Sequence, residues 1–158
     1  MPSYSRFIPH DIAKKYDFFN YNHAVEILAN SFPVEWEELL AALRSLHITK
    51  EELIMAGGSE SPIPPKLNAV LDPLGWKEIK ITGDLLIKFY PRKGLRGRFA
   101  AEPFTEKRLE NYIDGHNIDF VKGRVALDME WNSKDQTFDR DLMAMRTYFD
   151  CGLIEVGI

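Results

Sequence analysis

A chain of 158 residues is long enough to bury one hydrophobic core, and its 45% hydrophobic and 28% charged content is that of an ordinary globular protein. The net charge of −4 gives no global nucleic-acid signal, so any such affinity must come from a local patch. The single cysteine, Cys151, excludes a disulfide framework and a multi-cysteine zinc site. Because the sequence also lacks a membrane-length apolar run and a signal peptide, we expect a soluble cytoplasmic protein.

The N-terminal segment is predicted to be partly helical. Two prolines interrupt residues 1–17, which we therefore expect to form a loosely docked arm. Asn20 or Asn22 can cap a helix that runs to about Ala29, because a side-chain amide oxygen accepts a hydrogen bond from the first turn.

A second helix is predicted to begin at Pro33, since proline is favoured in the first turn. Its apolar residues recur at steps of three and four, which predicts one buried face. They are Trp36, Leu39, Leu40, Leu43 and Leu46. Thr49 with Glu52 has the spacing of a capping box, which indicates a short helix to about Met55.

The middle of the chain is predicted to be mixed. Lys66–Leu74 is expected to be helical, and two strands follow at about Lys77–Thr82 and Leu85–Tyr90, joined at Gly83-Asp84. Thr105–Asp114 is predicted to be a charged helix, with a proline near its start and a glycine after its end.

The stretch Asn117–Asn132 is predicted to form a hairpin of two short strands joined at Lys122-Gly123. Side chains alternate between the two faces of a strand, so the polar residues of the second strand share one face. These residues are Asp128, Glu130 and Asn132. With a two-residue turn, Asp119 lies opposite Ala126 on that same face, one diagonal step from Asp128.

Three carboxylates would then converge from an otherwise apolar hairpin. Like charges at short range raise one another's pKa, so they need a cation or a shared proton. A hard divalent ion with oxygen ligands, most simply Mg²⁺, satisfies that need. The alternative is a solvated strand face, on which alternating acids are common.

The C-terminal part is predicted to be a helix over Asp135–Phe149 followed by an apolar strand, Leu153–Ile158, in the middle of a sheet. The residues expected on the buried helix face are Phe138, Leu142, Met145 and Phe149. A hairpin, a helix and a strand in that order predict a mixed sheet with a helical crossover. Because the chain stops inside an apparent central strand, the sequence leaves open whether it is truncated after Ile158.

A local excess of basic residues without any acidic residue occupies Lys88–Arg98. Its cations, which could follow DNA phosphates, are Lys88, Arg92, Lys93, Arg96 and Arg98. Further cations near the hairpin are Lys122, Arg124 and Lys134. An ordinary basic loop is the alternative interpretation.

The run Asp119-Phe-Val-Lys-Gly-Arg-Val-Ala-Leu-Asp128-Met-Glu130 resembles the active-site hairpin of type II restriction endonucleases of the BglII/BstYI group, within the PD-(D/E)XK nuclease superfamily. Phe138-Asp-Arg-Asp-Leu and Ile154-Glu-Val-Gly-Ile resemble the next helix and strand. The resemblance implies an α/β fold with a restriction-endonuclease-like mixed β-sheet flanked by helices. It also implies one domain over residues 1–158, with a helical part to about residue 56 and a catalytic core from about residue 66.

By position, Asp119 matches the first metal-binding carboxylate of that family and Asp128 the second. Glu130 falls where the superfamily usually has lysine and where this group often has glutamine. Another register makes Glu130 the second group and Asn132 the third, and the sequence does not separate the two. Asn117, beside the hairpin, is a possible auxiliary phosphate contact, although asparagine before a strand is commonly a turn residue.

The function implied by the resemblance is Mg²⁺-dependent cleavage of double-stranded DNA at a short palindromic site. The same resemblance implies a homodimer and a cognate DNA methyltransferase in a restriction–modification system. Two alternatives are a repair or structure-selective nuclease of the superfamily and a non-catalytic DNA-binding protein on a decayed nuclease scaffold.

Overall fold

The fold is described from a computed structural model, which defines residues 3–54, 62–130 and 137–158. The chain divides into two compact units. The first unit combines Met1–Ile79 with Ile118–Ile158, and the second is Lys80–Asn117. Each unit has its own sheet, and together they form an α/β fold.

The described helices of the first unit precede its strands, except the last helix, which connects the two final strands. They are α1 (His10–Ala13), α2 (Ala24–Ser31), α3 (Pro33–Ser45), α4 (Lys50–Ile54), α5 (Pro64–Leu71) and α6 (Thr137–Asp150), with 3-10 turns at Ser3–Phe7 and Asp72–Leu74. Within the described ranges, none of the helices has the length and apolarity needed to cross a bilayer.

The N-terminal arm is docked rather than loose, so that prediction is wrong. Ile12 is only 1% exposed, and Tyr4, Phe7 and Tyr16 pack against the core cluster. Apolar burial of this size outweighs the two prolines, which here only limit the length of the helices.

Helices α2 and α3 supply much of the core. Helix α2 begins at Ala24, because Asn22 and His23 adopt positive φ angles and cannot extend it towards the N-terminus. The Asn20 side chain nevertheless accepts a hydrogen bond from the Val25 amide at 3.0 Å. Helix α3 begins at Pro33 as predicted. Its apolar face is buried through Trp36, Leu39, Leu40 and Ala42, and Leu46 follows.

The capping box before α4 is confirmed. The Thr49 amide donates to Glu52 Oε2 at 2.8 Å, and the Glu52 amide donates to Thr49 Oγ1 at 3.3 Å. These two bonds satisfy backbone groups that the first helical turn leaves unpaired. The predicted end near Met55 lies outside the described residues.

The sheet of the first unit has the strand order β1-β4-β5-β6. Its strands are β1 (Lys77–Lys80), β4 (Asn117–Lys122), β5 (Val125–Leu127) and β6 (Val156–Gly157). β4 and β5 are antiparallel, whereas β5 and β6 are parallel and are connected through α6. The predicted mixed sheet with a helical crossover is therefore confirmed, but β6 is the last strand of this order rather than a central one.

The second unit is a two-stranded antiparallel ribbon of β2 (Gly83–Phe89) and β3 (Thr105–Ile113). The predicted helix at Thr105–Asp114 is therefore wrong. Helix propensity is a weak preference, and here it is overridden by pairing with β2 along the whole segment. The two strands predicted on either side of Gly83-Asp84 are present as β1 and β2, although they belong to different sheets.

The buried face of α6 differs from the predicted one. Phe138, Leu142 and Phe149 are 58%, 66% and 53% exposed, whereas Asp141 and Tyr148 are buried. Met145 was placed correctly, because its sulfur would lie 2.5 Å from a Cβ at Gly157 of β6. The face that packs on the sheet thus passes through positions 141, 145 and 148, one residue earlier than most of the predicted stripe.

Candidate active site

The β4–β5 hairpin sets two aspartates directly opposite each other. Its turn is Gly123-Arg124, with Gly123 at φ 56°, so the predicted turn was one residue too early. Phe120 pairs with Leu127 and Lys122 with Val125. Continuing that register by one step places Asp119 opposite Asp128 instead of opposite Ala126.

Backbone amides hold these two aspartates in place. The Asp119 amide donates to Asp128 Oδ1 at 3.2 Å, and the Met129 amide donates to Asp119 Oδ2 at 3.0 Å. The Asp128 amide itself donates to the Ile158 carbonyl at 2.9 Å. A backbone amide from the opposite side of the hairpin therefore orients each carboxylate, and both residues are partly buried.

Glu130 is positioned differently, because β5 ends at Leu127 and Asp128–Glu130 belong to no strand. The predicted common strand face for residues 128, 130 and 132 is thus wrong for Glu130, and Asn132 lies outside the described residues. The Glu130 side chain is 20% exposed, and Arg140 Nη2 lies 3.9 Å from its Oε1.

Asp141 of α6 also belongs to this group, and it was not among the predicted site residues. It is 6% exposed, and one of its carboxylate oxygens lies within 4.8 Å of a carboxylate oxygen of Asp128. A hydrogen bond with Asp141, burial, and the charges of Asp141 and Asp128 raise the pKa of Glu130 to about 7, against the opposing effect of Arg140. The only sequence signal was its place in the run Phe138-Asp-Arg-Asp-Leu.

The surroundings explain the desolvation of this group. Leu127–Glu130 line a cavity of about 280 Å³ together with apolar residues of α3, α5 and the segments beside them. The other lining residues are Leu39, Leu43, Leu46, Ile48, Ile63 and Leu67. An apolar wall lowers the local dielectric, so it strengthens both the repulsion between the acids and their attraction for a cation.

The donor set fits a hard divalent cation. Asp119, Asp128, Glu130 and Asp141 offer carboxylate oxygens alone, which are the ligands that Mg²⁺ prefers. One Oδ2 atom on each of Asp128 and Asp141 is buried from solvent. Repulsion between neighbouring carboxylates is reduced either by protonation or by a bound cation, and these four residues could use either.

The basic segment of the second unit is exposed. Arg92 Nε donates to the Gly97 carbonyl at 2.7 Å, and the Arg92 guanidinium lies 5.7 Å from the Phe99 ring centre. Lys88 forms an ion pair with Glu106 at 3.4 Å. The cations whose side chains reach solvent here are Lys88, Arg92, Lys93, Arg96 and Arg98.

The two cations at the hairpin turn have intramolecular partners. Lys122 Nζ lies 2.6 and 2.8 Å from the two oxygens of Glu38, and its side chain is 24% exposed. Arg124 forms an ion pair with Glu155 at 3.0 Å. A phosphate contact by either side chain would have to compete with these ion pairs. Asn117 is the first residue of β4, and Lys134 lies outside the described residues.

No curated protein matches this sequence. A family model described as "Restriction endonuclease BglII/BglIII" matches residues 16–158, which is nearly the whole chain. The match includes the hairpin with Asp119 and Asp128, the helix with Asp141 and the closing strand. The chain therefore belongs to the BglII/BglIII restriction endonuclease family.

Proposed function

We propose that this protein is a Mg²⁺-dependent type II restriction endonuclease that hydrolyses phosphodiester bonds at a short palindromic site in double-stranded DNA. Family membership implies a nuclease that acts on DNA. The observation that supports the finer proposal is the pairing of Asp119 with Asp128 across the hairpin, with Glu130 close enough to Asp128 for that charge to help raise its pKa.

Asp119 and Asp128 are proposed to hold the cation. They face each other across the hairpin, and their orientation is set before any ligand binds. A bound Mg²⁺ would neutralise phosphate charge and make a nearby water molecule more acidic. Preorganised carboxylates of this kind avoid the cost of rearranging side chains during the reaction.

Glu130 has no positive charge to offer to the phosphate, unlike a lysine at the same place. Its carboxylate would therefore complete the metal site or accept the proton of the attacking water as a general base. Without a bound cation, the hydrogen bond with Asp141, burial and the neighbouring acids raise the pKa of Glu130 to about 7. A cation at Asp119 and Asp128 would favour its ionised form, which is the form that a metal ligand or a general base requires. Asn117 and Asn132 are proposed as auxiliary polar groups beside this site.

The ribbon of the second unit is proposed to contact the DNA backbone. Its cations are exposed, and no acidic residue interrupts them between Lys88 and Arg98. Exposed Lys and Arg side chains on a loop can neutralise DNA phosphates, and such contacts do not depend on the base sequence. Lys122, Arg124 and Lys134, which belong to the first unit, are proposed as separate and weaker phosphate contacts, the first two because of the ion pairs described above.

A palindromic site is read most simply by a two-fold symmetric dimer, so we further propose that the active enzyme is a homodimer. We place it in the cytoplasm, with a cognate DNA methyltransferase that protects the host sequence. We also propose that residues 1–158 act as a single restriction-endonuclease-like domain, in which the second unit is part of the catalytic core.

The first test is incubation of unmethylated plasmid and phage DNA with the purified protein in Mg²⁺ or in EDTA. We expect discrete fragments in Mg²⁺ alone, and their ends should map to a palindrome. Nicking or branch-selective cutting would favour a repair nuclease. Mg²⁺-independent binding without any cleavage would favour a DNA-binding protein on a nuclease scaffold.

The second test addresses the site residues. Asp119→Asn and Asp128→Asn should each abolish cleavage, because each removes a charge that the cation needs, while DNA binding in Ca²⁺ or EDTA stays measurable. Asp139→Asn, on the exposed side of α6, is the matched control and should cleave normally. Turnover by either of the first two variants would overturn the site assignment.

A further inference from the structure

Glu130 lies beyond the last hydrogen-bonded residue of β5, so no strand ladder fixes its side chain. Asp119 and Asp128 differ in this respect, because neighbouring backbone amides orient both. A residue that contributes to a metal site must be held within about half an ångström of its working position. Some other element must therefore hold Glu130.

Helix α6 supplies that element. Arg140 approaches both acids, with Nη2 at 3.9 Å from Glu130 Oε1 and Nε at 3.2 Å from Asp141 Oδ1. Asp141 is 6% exposed, and one of its carboxylate oxygens lies within 4.8 Å of a carboxylate oxygen of Asp128. Asp141 thus lies close to Asp128, which a backbone amide orients, and shares Arg140 with Glu130, which has no such amide in the described contacts.

The position of Asp141 is itself fixed by packing. Tyr148, two helical turns further along α6, is 1% exposed, and Met145 packs against Gly157 of β6. Asp141 is the fifth residue of α6, so it is not needed to cap the start of the helix. Burying a carboxylate beside other acids is costly, which argues that it serves the site rather than the stability of the helix.

We propose that Asp141 is a positioning residue of the metal site, which acts with Arg140 to hold the Glu130 carboxylate towards Asp128. This inference rests on the proposed function of Glu130 as a member of that site. The fixed helix compensates for the early end of β5. Partners of this kind behind a metal ligand are worth about 10- to 100-fold in metal affinity.

The test uses Mn²⁺ binding by the DNA-free full chain, measured by electron paramagnetic resonance or calorimetry, together with the Mg²⁺ concentration needed for half-maximal cleavage. Asp141→Asn keeps the size of the side chain and removes its charge. We expect Mn²⁺ binding to weaken by about 10-fold. Asp139→Asn, two residues earlier and exposed, should bind Mn²⁺ like the unaltered protein.

A double-mutant cycle separates positioning from a direct charge effect. If Asp141 acts through Glu130, Asp141→Asn should change Mn²⁺ affinity little in a Glu130→Gln background. An equal loss in both backgrounds, or no loss in either, would overturn the inference. Unaltered Mn²⁺ binding by both Glu130→Gln and Asp119→Asn would instead overturn the proposed metal site as a whole.

Thermal unfolding in EDTA shows whether Asp141→Asn folds. If it does not, Arg140→Gln tests the same arrangement from a side chain that is 58% exposed. This variant should also weaken Mn²⁺ binding, by less than Asp141→Asn would, and only when Glu130 is present. Normal Mn²⁺ binding by a folded Arg140→Gln would contradict the inference.

Discussion

Glu38 connects three parts of the first unit through its side chain. It accepts a hydrogen bond from Trp76 Nε1 at 2.8 Å and pairs with Lys122 of β4 at 2.6 Å. Trp76 is fully buried, and the side chains of Glu38 and Lys122 are 15% and 24% exposed. Removing one of two donors from a partly buried carboxylate destabilises the folded protein, because part of the carboxylate is then left without a hydrogen bond.

We therefore predict that Lys122→Met lowers the free energy of unfolding by about 1–3 kcal/mol, because it leaves the Glu38 carboxylate with only the indole as donor. Urea denaturation measures the loss. The salt dependence of DNA binding should change less than it does for an unpaired cation, since this ammonium is already paired with Glu38. The reciprocal control is Lys93→Met on the exposed ribbon, which should weaken DNA binding and leave stability unaltered. The reverse pattern would assign Lys122 to the DNA interface.

The residues of the candidate site were predictable to different degrees. The prediction that Asp119 and Asp128 share one face of the hairpin is correct although the predicted turn was wrong. The true pairing is shifted by two residues from the predicted one, and side chains two residues apart on a strand point to the same face. Asp141 was not predictable, because its role depends on which face of α6 packs on the sheet. The apolar pattern favoured the face of Phe138 and Leu142, which the fold leaves exposed.

At the scale of elements, the largest error is the predicted helix at Thr105–Asp114, which is strand β3 over Thr105–Ile113. The segment contains good helix formers, but their charged side chains can also stabilise the ribbon by pairing across its two strands. Lys88 pairs with Glu106, and Arg108 Nε donates to Asp84 at 3.1 Å. Charges that can pair at helical spacing can also pair between strands, so the pattern of charge alone does not separate the two structures.

The conformation of the loop at the tip of the ribbon depends on the close approach of Gly97 to the Lys93 carbonyl group. A Cβ at Gly97 would lie 1.6 Å from the Lys93 carbonyl oxygen, so only glycine permits this fold of the loop. We predict that Gly97→Ala rearranges the tip at a cost of about 1–3 kcal/mol and weakens DNA binding. The amide chemical shifts of the loop residues that connect β2 to β3 would report the rearrangement. Leu95→Ala is the control, because Leu95 is 97% exposed and should leave those shifts nearly unaltered.

At the scale of the whole molecule, the net negative charge opposes the binding of DNA, which is also negatively charged. The chain carries −4, and DNA repels a protein of that sign at long range. A family member that acts on DNA must therefore concentrate its attraction in a small region. The ribbon segment does so, with five cations and no acid over Lys88–Arg98.

The salt dependence of binding tests that division of charge. Each cation that neutralises a phosphate contributes about 0.9 to the slope of log K against log salt concentration. Replacing Lys93, Arg96 and Arg98 by glutamine should therefore reduce the slope by up to roughly 2.7. Arg92 is left in place, because its hydrogen bond to the Gly97 carbonyl supports the loop.

A second triple variant separates the patch from the total charge. Replacing Lys14, Lys50 and Lys77 by glutamine, all exposed in the first unit, changes the net charge by the same amount, from −4 to −7. If binding depends on the ribbon, this variant should keep the original slope and lose affinity only slightly through long-range repulsion. Equal slopes for the two triple variants would mean that the ribbon does not contact phosphates, and the cations that do would then have to be sought elsewhere in the chain.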